Sequence, residues 1–540
     1  MHIGSLARRA KPFLTMAAIG GVAVTLAACG GDKGSGGNPG GQKYADGKTF
    51  TMLLGADPGN LDPHFTSLAS ALQADRFLYD SLVNIDASGK MVAGLAERWE
   101  GTTTSAKYVL RKGVTCSDGS PLTATVVAAN INFVGDPNNA SSRIGVFVPP
   151  GATATADDAT GTVTVSSPAP SSFLDRTVGG LQIVCDKGMK DRNLLKQGAV
   201  GSGMFTMTEA VANDHYTLTR RKDYAWGPGD WKTQQVGLPD KVILKVVANE
   251  STAANLLLSN QANTALIVGP DKQRLQSAKL FQREVVATLG ELWYNQKAGL
   301  PGADEAVRRA LTQALNLTEL GQVVTSGSGK PPTGLVAPGL GPCEQNTVGD
   351  NLPKHDLDAA KAALDAAGWT PGAGGIRTKD GKKLTIVLVY PTSVGAGMQA
   401  GAELAQKVWG GVGVEVTLKA ASDAEIGTVI VGGQGSWDAT FLPLNVTLPT
   451  EPVPFLSGPT APNGVNFANI QNSEYTSNVQ AASAVAGSAG CDKWAAAEAA
   501  LFKHVDVVPF VNSAVPTFAK GAEFELTGGG LSPQSVRMLA

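Results

Sequence analysis

"KLTIVLVYPTSVGAGMQAGAELAQKVWGGVGVEVTLKAA" (Lys383–Ala421) changes periodicity twice. Lys383–Pro391 is a short β-branched run closed by a proline. Val414–Ala421 alternates, with Val414, Val416 and Leu418 on one face and Glu415, Thr417 and Lys419 on the other. Between them, Ala396–Trp409 reads as a helix. A strand–helix–strand unit returns the chain to the end of the sheet where it began, so its two strands lie parallel. The reading is therefore α/β.

Upstream, "DLDAAKAALDAAGW" sets Leu357, Ala360 and Leu364 at helical spacing with Gly368 as the stop. "DEAVRRALTQALNLTELGQVV" does the same with Val307, Leu311, Ala314 and Leu315 behind Asp304 as cap. The first half is richer in strands. Thr49–Phe65 opens with an alternating strand and turns at Asp57-Pro58-Gly59. Ala106–Val134 predicts a strand near Tyr108–Leu110, a turn at Ser117-Asp118-Gly119, and a helix after Pro121 capped by Thr123. "GTVTVSSP" and "HYTLTRRKDY" alternate as half-buried strands. Two α/β lobes follow, the second richer in helix.

The 540 residues are too many for one core, and a net charge of −2 gives no footprint for nucleic acid. At the N-terminus, Arg8, Arg9 and Lys11 precede an apolar run from Phe13 to Leu26, as in a signal peptide over 1–28. Leu26-Ala27-Ala28-Cys29 resembles a bacterial lipobox, in which the cysteine is acylated, with palmitate-type chains, and becomes the new N-terminus. Residues 29–43 then read as a flexible tether. No later segment reaches the ~18 apolar residues of a spanning helix. The chain is placed on the outer face of the cytoplasmic membrane, held by lipid alone.

Four other cysteines, Cys116, Cys185, Cys343 and Cys491, allow three connectivities. The favoured pairing is Cys116–Cys185 with Cys343–Cys491, because each bridge then stays in one half of the chain. The five histidines have no metal-ligand spacing, so no metal site is expected. "GSGKPP" (Gly327–Pro332) imitates a phosphate loop but lacks its first glycine and its Ser/Thr.

An ordered series of segments resembles the peptide/nickel-type solute-binding proteins of ABC importers, solute-binding protein family 5. It runs through Leu61-Asp62-Pro63, "YDSLVNIDASGKMVAGLAERWE" (Tyr79–Glu100) and "YVLRKGVTCSDGSPLTA" (Tyr108–Ala124). It continues with "GSGMFTMTEA", "RRKDYAWG", "YNQKAGLPGADEAVRRALTQALNLTEL" and "DLDAAKAALDAAGW", in family order over nearly the whole mature chain. The resemblance implies a two-lobed clam-shell of the type II periplasmic-binding-protein class, with an extra subdomain in lobe one. Lobe one would hold 44–290 plus 505–540, and lobe two 291–504. One disulfide per lobe would leave the hinge free.

The implied function is delivery of an oligopeptide or similar small solute to an ABC permease, whose ATPase supplies the energy. No enzyme activity and no cofactor are expected, and the chain is expected to act as a monomer. The alternatives are a sensor or adhesin on the same fold, and a secreted hydrolase. By the same resemblance, Phe65, Thr66, Trp293, Asn295, Trp437 and Asn445 are the candidate ligand contacts. The family often holds a peptide ammonium with a carboxylate placed after a Trp and before an (Asp/Glu)-Pro. Counted back from Glu451-Pro452, those positions here carry Asn445 and Leu448. Asp438 lies further upstream, and Glu451 is the remaining substitute.

Overall fold

The parallel pair expected from Lys383–Ala421 forms. Thr385–Pro391 and Glu415–Ala421 run side by side in register from Thr385↔Glu415 to Pro391↔Ala421. The helix Ala396–Gly411 joins them and buries Met398, Ala402, Ala405 and Trp409 on one face. These features come from a computed structural model that describes residues 43–540 apart from Ser67, Ala199, Leu340 and Pro462. The expected leader, Cys29 and all but the last residue of the tether lie outside the described residues.

Residues Tyr44–Ala540 form one compact unit. Its backbone is a ten-stranded sheet. From one edge the order is Glu415–Ala421, Thr385–Pro391, Ala439–Phe441, Phe281–Tyr294, Val507–Ala519, Thr264–Leu266, Thr49–Leu54, Lys241–Val246, His215–Arg220 and Phe205–Val211. A separate four-stranded sheet, in the order Ala96–Gly101, Ser105–Leu110, Thr162–Ser166, Thr153–Asp157, branches from the first half. The helix Ala124–Gly135 packs on it, and Thr123 caps that helix by accepting from Val126 N–H at 3.3 Å.

Hydrophobic side chains gather into two large cores and a small one. The first joins residues from Phe50 to Leu244 with the C-terminal Ala519–Met538. The second runs from Leu292 to Val511 and includes one residue from far upstream, Phe173. The third lies under the helix Glu250–Leu258. Both disulfides form with the favoured pairing, Cys116–Cys185 and Cys343–Cys491.

Two long strands, Phe281–Tyr294 and Val507–Ala519, carry the chain from one large core to the other and back. They pair antiparallel from Phe281↔Ala519 to Trp293↔Val507, with the register shifting on both sides of Gly290. A Cβ at Gly290 would lie 2.1 Å from the Phe510 ring, so only glycine lets the bulge close. The helical stretch behind Asp304 also breaks. Asp304 caps Glu305–Ala314, Leu315 turns extended, and the Asn316 side chain caps a second helix, Leu317–Val324. Asn caps the second helix so well because its side chain competes for backbone N–H groups.

Candidate ligand site between the two cores

Two loops correspond to the segments expected to face a ligand. The first, Leu61–Thr66, belongs to the first core. Asp62 is buried and takes both of its oxygens to Arg192, at 2.9 and 2.5 Å. Arg143 reaches the same loop from another side, donating to Pro63 O at 3.0 Å and to Thr66 O. His64 is fully buried, with Nε2 donating to Gln182 O at 3.1 Å. Burial, aided by the charge on Arg192, pushes the His64 imidazole down to about 3, so the ring is neutral. This clamp turns Phe65 outward, where the Arg192 guanidinium lies 5.2 Å from its ring and 4.2 Å from that of Phe133. Beneath it sits Asp75, fully buried with neither oxygen bonded, its carboxyl raised well above the ordinary range by burial.

The second loop, Leu442–Glu451, belongs to the second core and is tied down by carboxyl groups. Glu291, on the crossing strand, accepts from Leu442 N–H through its backbone oxygen at 3.0 Å and from Leu444 N–H through Oε2 at 2.8 Å. Burial pushes the Glu291 carboxyl up to about 8, so it carries its proton at neutral pH. Glu451 accepts from Thr447 N–H at 2.6 Å and from Thr447 Oγ1 at 2.9 Å, closing the loop on itself. Asp438 accepts from Val387 N–H at 2.8 Å, inside the sheet. Leu448, at the position of the family's carboxylate, is packed in the core. Both carboxylates between Trp437 and Pro452 are thus held by the protein's own backbone.

The six expected contacts divide by exposure. Phe65 and Asn445 face outward. Thr66 is buried, its carbonyl bound by Arg143 and Ser142. Trp293 is buried against Phe467, with Nε1 donating to Leu442 O at 2.8 Å. Asn295 donates to Trp437 O at 3.1 Å and accepts from Lys297 N–H and from Asn469. Trp437 also packs against Phe467, ring centroids 6.1 Å apart. In this conformation these four brace the walls of the loops. At the bulge of the crossing strands, Thr288 and Asn512 face each other, and Thr288 Oγ1 and Asn512 Oδ1 are buried without a partner.

Sequence reasoning missed Arg143, Arg192 and Glu291. For Glu291 a signal existed: it is the lone charge in the otherwise uncharged run "VVATLGELWYN". For the arginines none did, because their partners are 80 and 130 residues away.

Two large cores strung on one ten-stranded sheet match the architecture of a two-lobed solute receptor of the periplasmic-binding-protein class. The model for bacterial extracellular solute-binding proteins, family 5, matches residues 90–466, and the chain belongs to that family. Proteins of this family are extracytoplasmic binding components of ABC importers that take peptides or related solutes; they are receptors, not enzymes. Protein XP55 of Streptomyces lividans is 28% identical over 407 residues, 71% of this chain and 68% of that protein. The glutathione-binding protein GsiB of Escherichia coli (strain K12) is 24% identical over 309 residues, covering 54% of this chain and 57% of its own length. The crystal structure of a substrate binding protein from Microbacterium hydrocarbonoxydans, complexed with 4-hydroxybenzoate hydrazide, is similar at 26% identity and a TM-score of 0.73. It is covered fully by 91% of this chain.

Proposed function

We propose that this chain is a lipid-anchored receptor that binds a short peptide or another small amide-bearing solute and hands it to an ABC permease. The observation that carries the ligand chemistry is the state of Asp438 and Glu451. Each carboxylate is engaged by backbone N–H groups, so neither is presented to a ligand ammonium. A solute recognised through amide or acyl groups suits what is presented instead. Asn445 offers an exposed amide and Phe65 an exposed ring backed by Arg192. Glutathione and an aromatic hydrazide, the ligands named for two similar proteins, both carry carbonyl–NH groups. Closing two lobes on such groups removes water and strengthens each hydrogen bond.

Native mass spectrometry of the chain from residue 30 onward, before and after denaturation and refolding, tests the reading. Released masses of short peptides or of one amide-type solute are expected. Release of an unmodified amine with no amide group would overturn it. The anchor is tested separately: Cys29→Ala is expected to move the protein from the membrane fraction to the soluble one.

A further inference from the structure

Adjacent residues in the segment Ser171–Leu174 serve different cores. Leu174 is fully buried in the first core. Its neighbour Phe173, 3% exposed, is buried in the second, more than a hundred residues from any other member. Ser172 is bonded across the same gap. Its Oγ donates to Ala482 O at 2.9 Å and accepts from Trp494 Nε1 at 3.2 Å, and its carbonyl accepts from Gly487 N–H at 2.6 Å. On its own side the segment is anchored by Ser171 N–H to Thr103 O at 2.8 Å and by Tyr108 Oη–H to Asp175 O at 2.8 Å. The receiving surface is the hairpin between the helices Ser473–Ser483 and Cys491–Lys503. The disulfide from Cys491 to Cys343 pins the start of the second of these helices. One turn further along the inserted segment, the charge of Arg176 is attracted by Glu451 of the second core's loop.

We infer that Ser172–Phe173 is a latch, a plug carried by lobe one and seated in lobe two that holds the lobes together without ligand. A hinge of two strands fixes where the lobes join but not how far they open. A third attachment well away in sequence sets the closed population. The Phe173 carbonyl stays bonded to Thr177 on its own side, but the contacts of the Phe173 ring and of Ser172 with Ala482, Gly487 and Trp494 join different cores and are lost when the lobes part. A seated latch favours the closed state and so lowers the conformational cost of binding. This inference rests on the two-lobed fold and not on the nature of the solute.

The test is a distance distribution between spin labels at Lys107→Cys and Gln480→Cys, two exposed positions flanking the latch, in the full chain stripped of ligand. A single short distance is expected. Phe173→Ala is expected to add a longer component, raising the open-to-closed ratio roughly tenfold or more, with far-UV circular dichroism unchanged. Ser172→Ala, which removes only the Oγ that joins Ala482 and Trp494, is expected to shift it less and in the same direction, and so is Trp494→Phe, which loses the Nε1 donor and part of the indole's bulk. If the folded variants keep the original distribution, or if the unaltered chain already shows mainly the long distance, there is no latch. Should Phe173→Ala fail to fold, Ser172→Ala and Trp494→Phe decide the question on the same readout. Loss of the solute-release signal with an intact distance shift would count against the proposed ligand and leave the latch standing.

Discussion

The two candidate loops, one on each large core, are fastened by opposite chemistry. Leu61–Thr66 is gripped by cations, with Arg192 on Asp62 and Arg143 on two carbonyls. Leu442–Glu451 is gripped by carboxyl oxygens, those of Glu291 and Glu451 accepting backbone N–H groups. Both kinds reach across the sequence to a buried group, Arg192 to Asp62 and Glu291 to Leu444, but the second loop adds a local tie from Glu451 to Thr447. The difference teaches that one loop depends on charge being paired, whereas the other depends on a proton being retained.

Removing one fastener from each wall exposes the asymmetry. Arg192→Ala leaves Asp62, buried at 3% exposure, without its bidentate partner. A loss of about 3–5 kcal/mol in urea unfolding is expected. Glu451→Ala breaks only bonds inside its own turn and is expected to cost about 1 kcal/mol. Equal losses would mean that the two walls are fastened alike. Between the walls, Gly290→Ala is expected to cost about 1–3 kcal/mol, because the new methyl collides with Phe510.

The loops also differ in pH dependence, and there they have opposite signs. His64 is depressed from 6.5 to about 3 in the folded chain. Its contribution is complete above the unfolded value and is lost as pH falls from 6.5 toward 3. Glu291 is raised from 4.5 to about 8. Its contribution is complete below 4.5 and is lost as pH rises toward 8. Each buried group gives a slope of about 1.4 kcal/mol per pH unit within its window. Unfolding series on His64→Gln and Glu291→Gln are expected to flatten the acid and the alkaline limb respectively. A variant that flattened the other limb would reverse the assignment.

What could be read in the sequence is what repeats locally. Alternation in Val414–Ala421 and helical spacing in Ala396–Trp409 predict the parallel pair, and the caps Thr123 and Asp304 act where expected. The cysteines paired legibly because an even set in two halves leaves few sensible choices. The setting of the candidate site residues was half legible. The family order located both loops, yet exposure within them depends on residues far away: Phe65 is outward because Arg192 is beneath it, and Trp293 is inward because Phe467 and Leu442 O receive it. Phe173 shows the limit most plainly. In "SSFLDR" nothing distinguishes an aromatic that serves its own core from one that serves another.

The composition of the first core has a consequence for how the molecule comes together in time. That core is closed by Ala519, Ala522, Phe524, Leu531, Val536 and Met538, and Tyr44 bridges to Leu539. The second core, apart from Phe173, is one unbroken stretch of chain. Domains that emerge first ordinarily fold first. Here the earliest part to emerge must wait for the last, so the contiguous second lobe is free to collapse while the first is still incomplete. Assembly therefore finishes at the end of the chain that was made first.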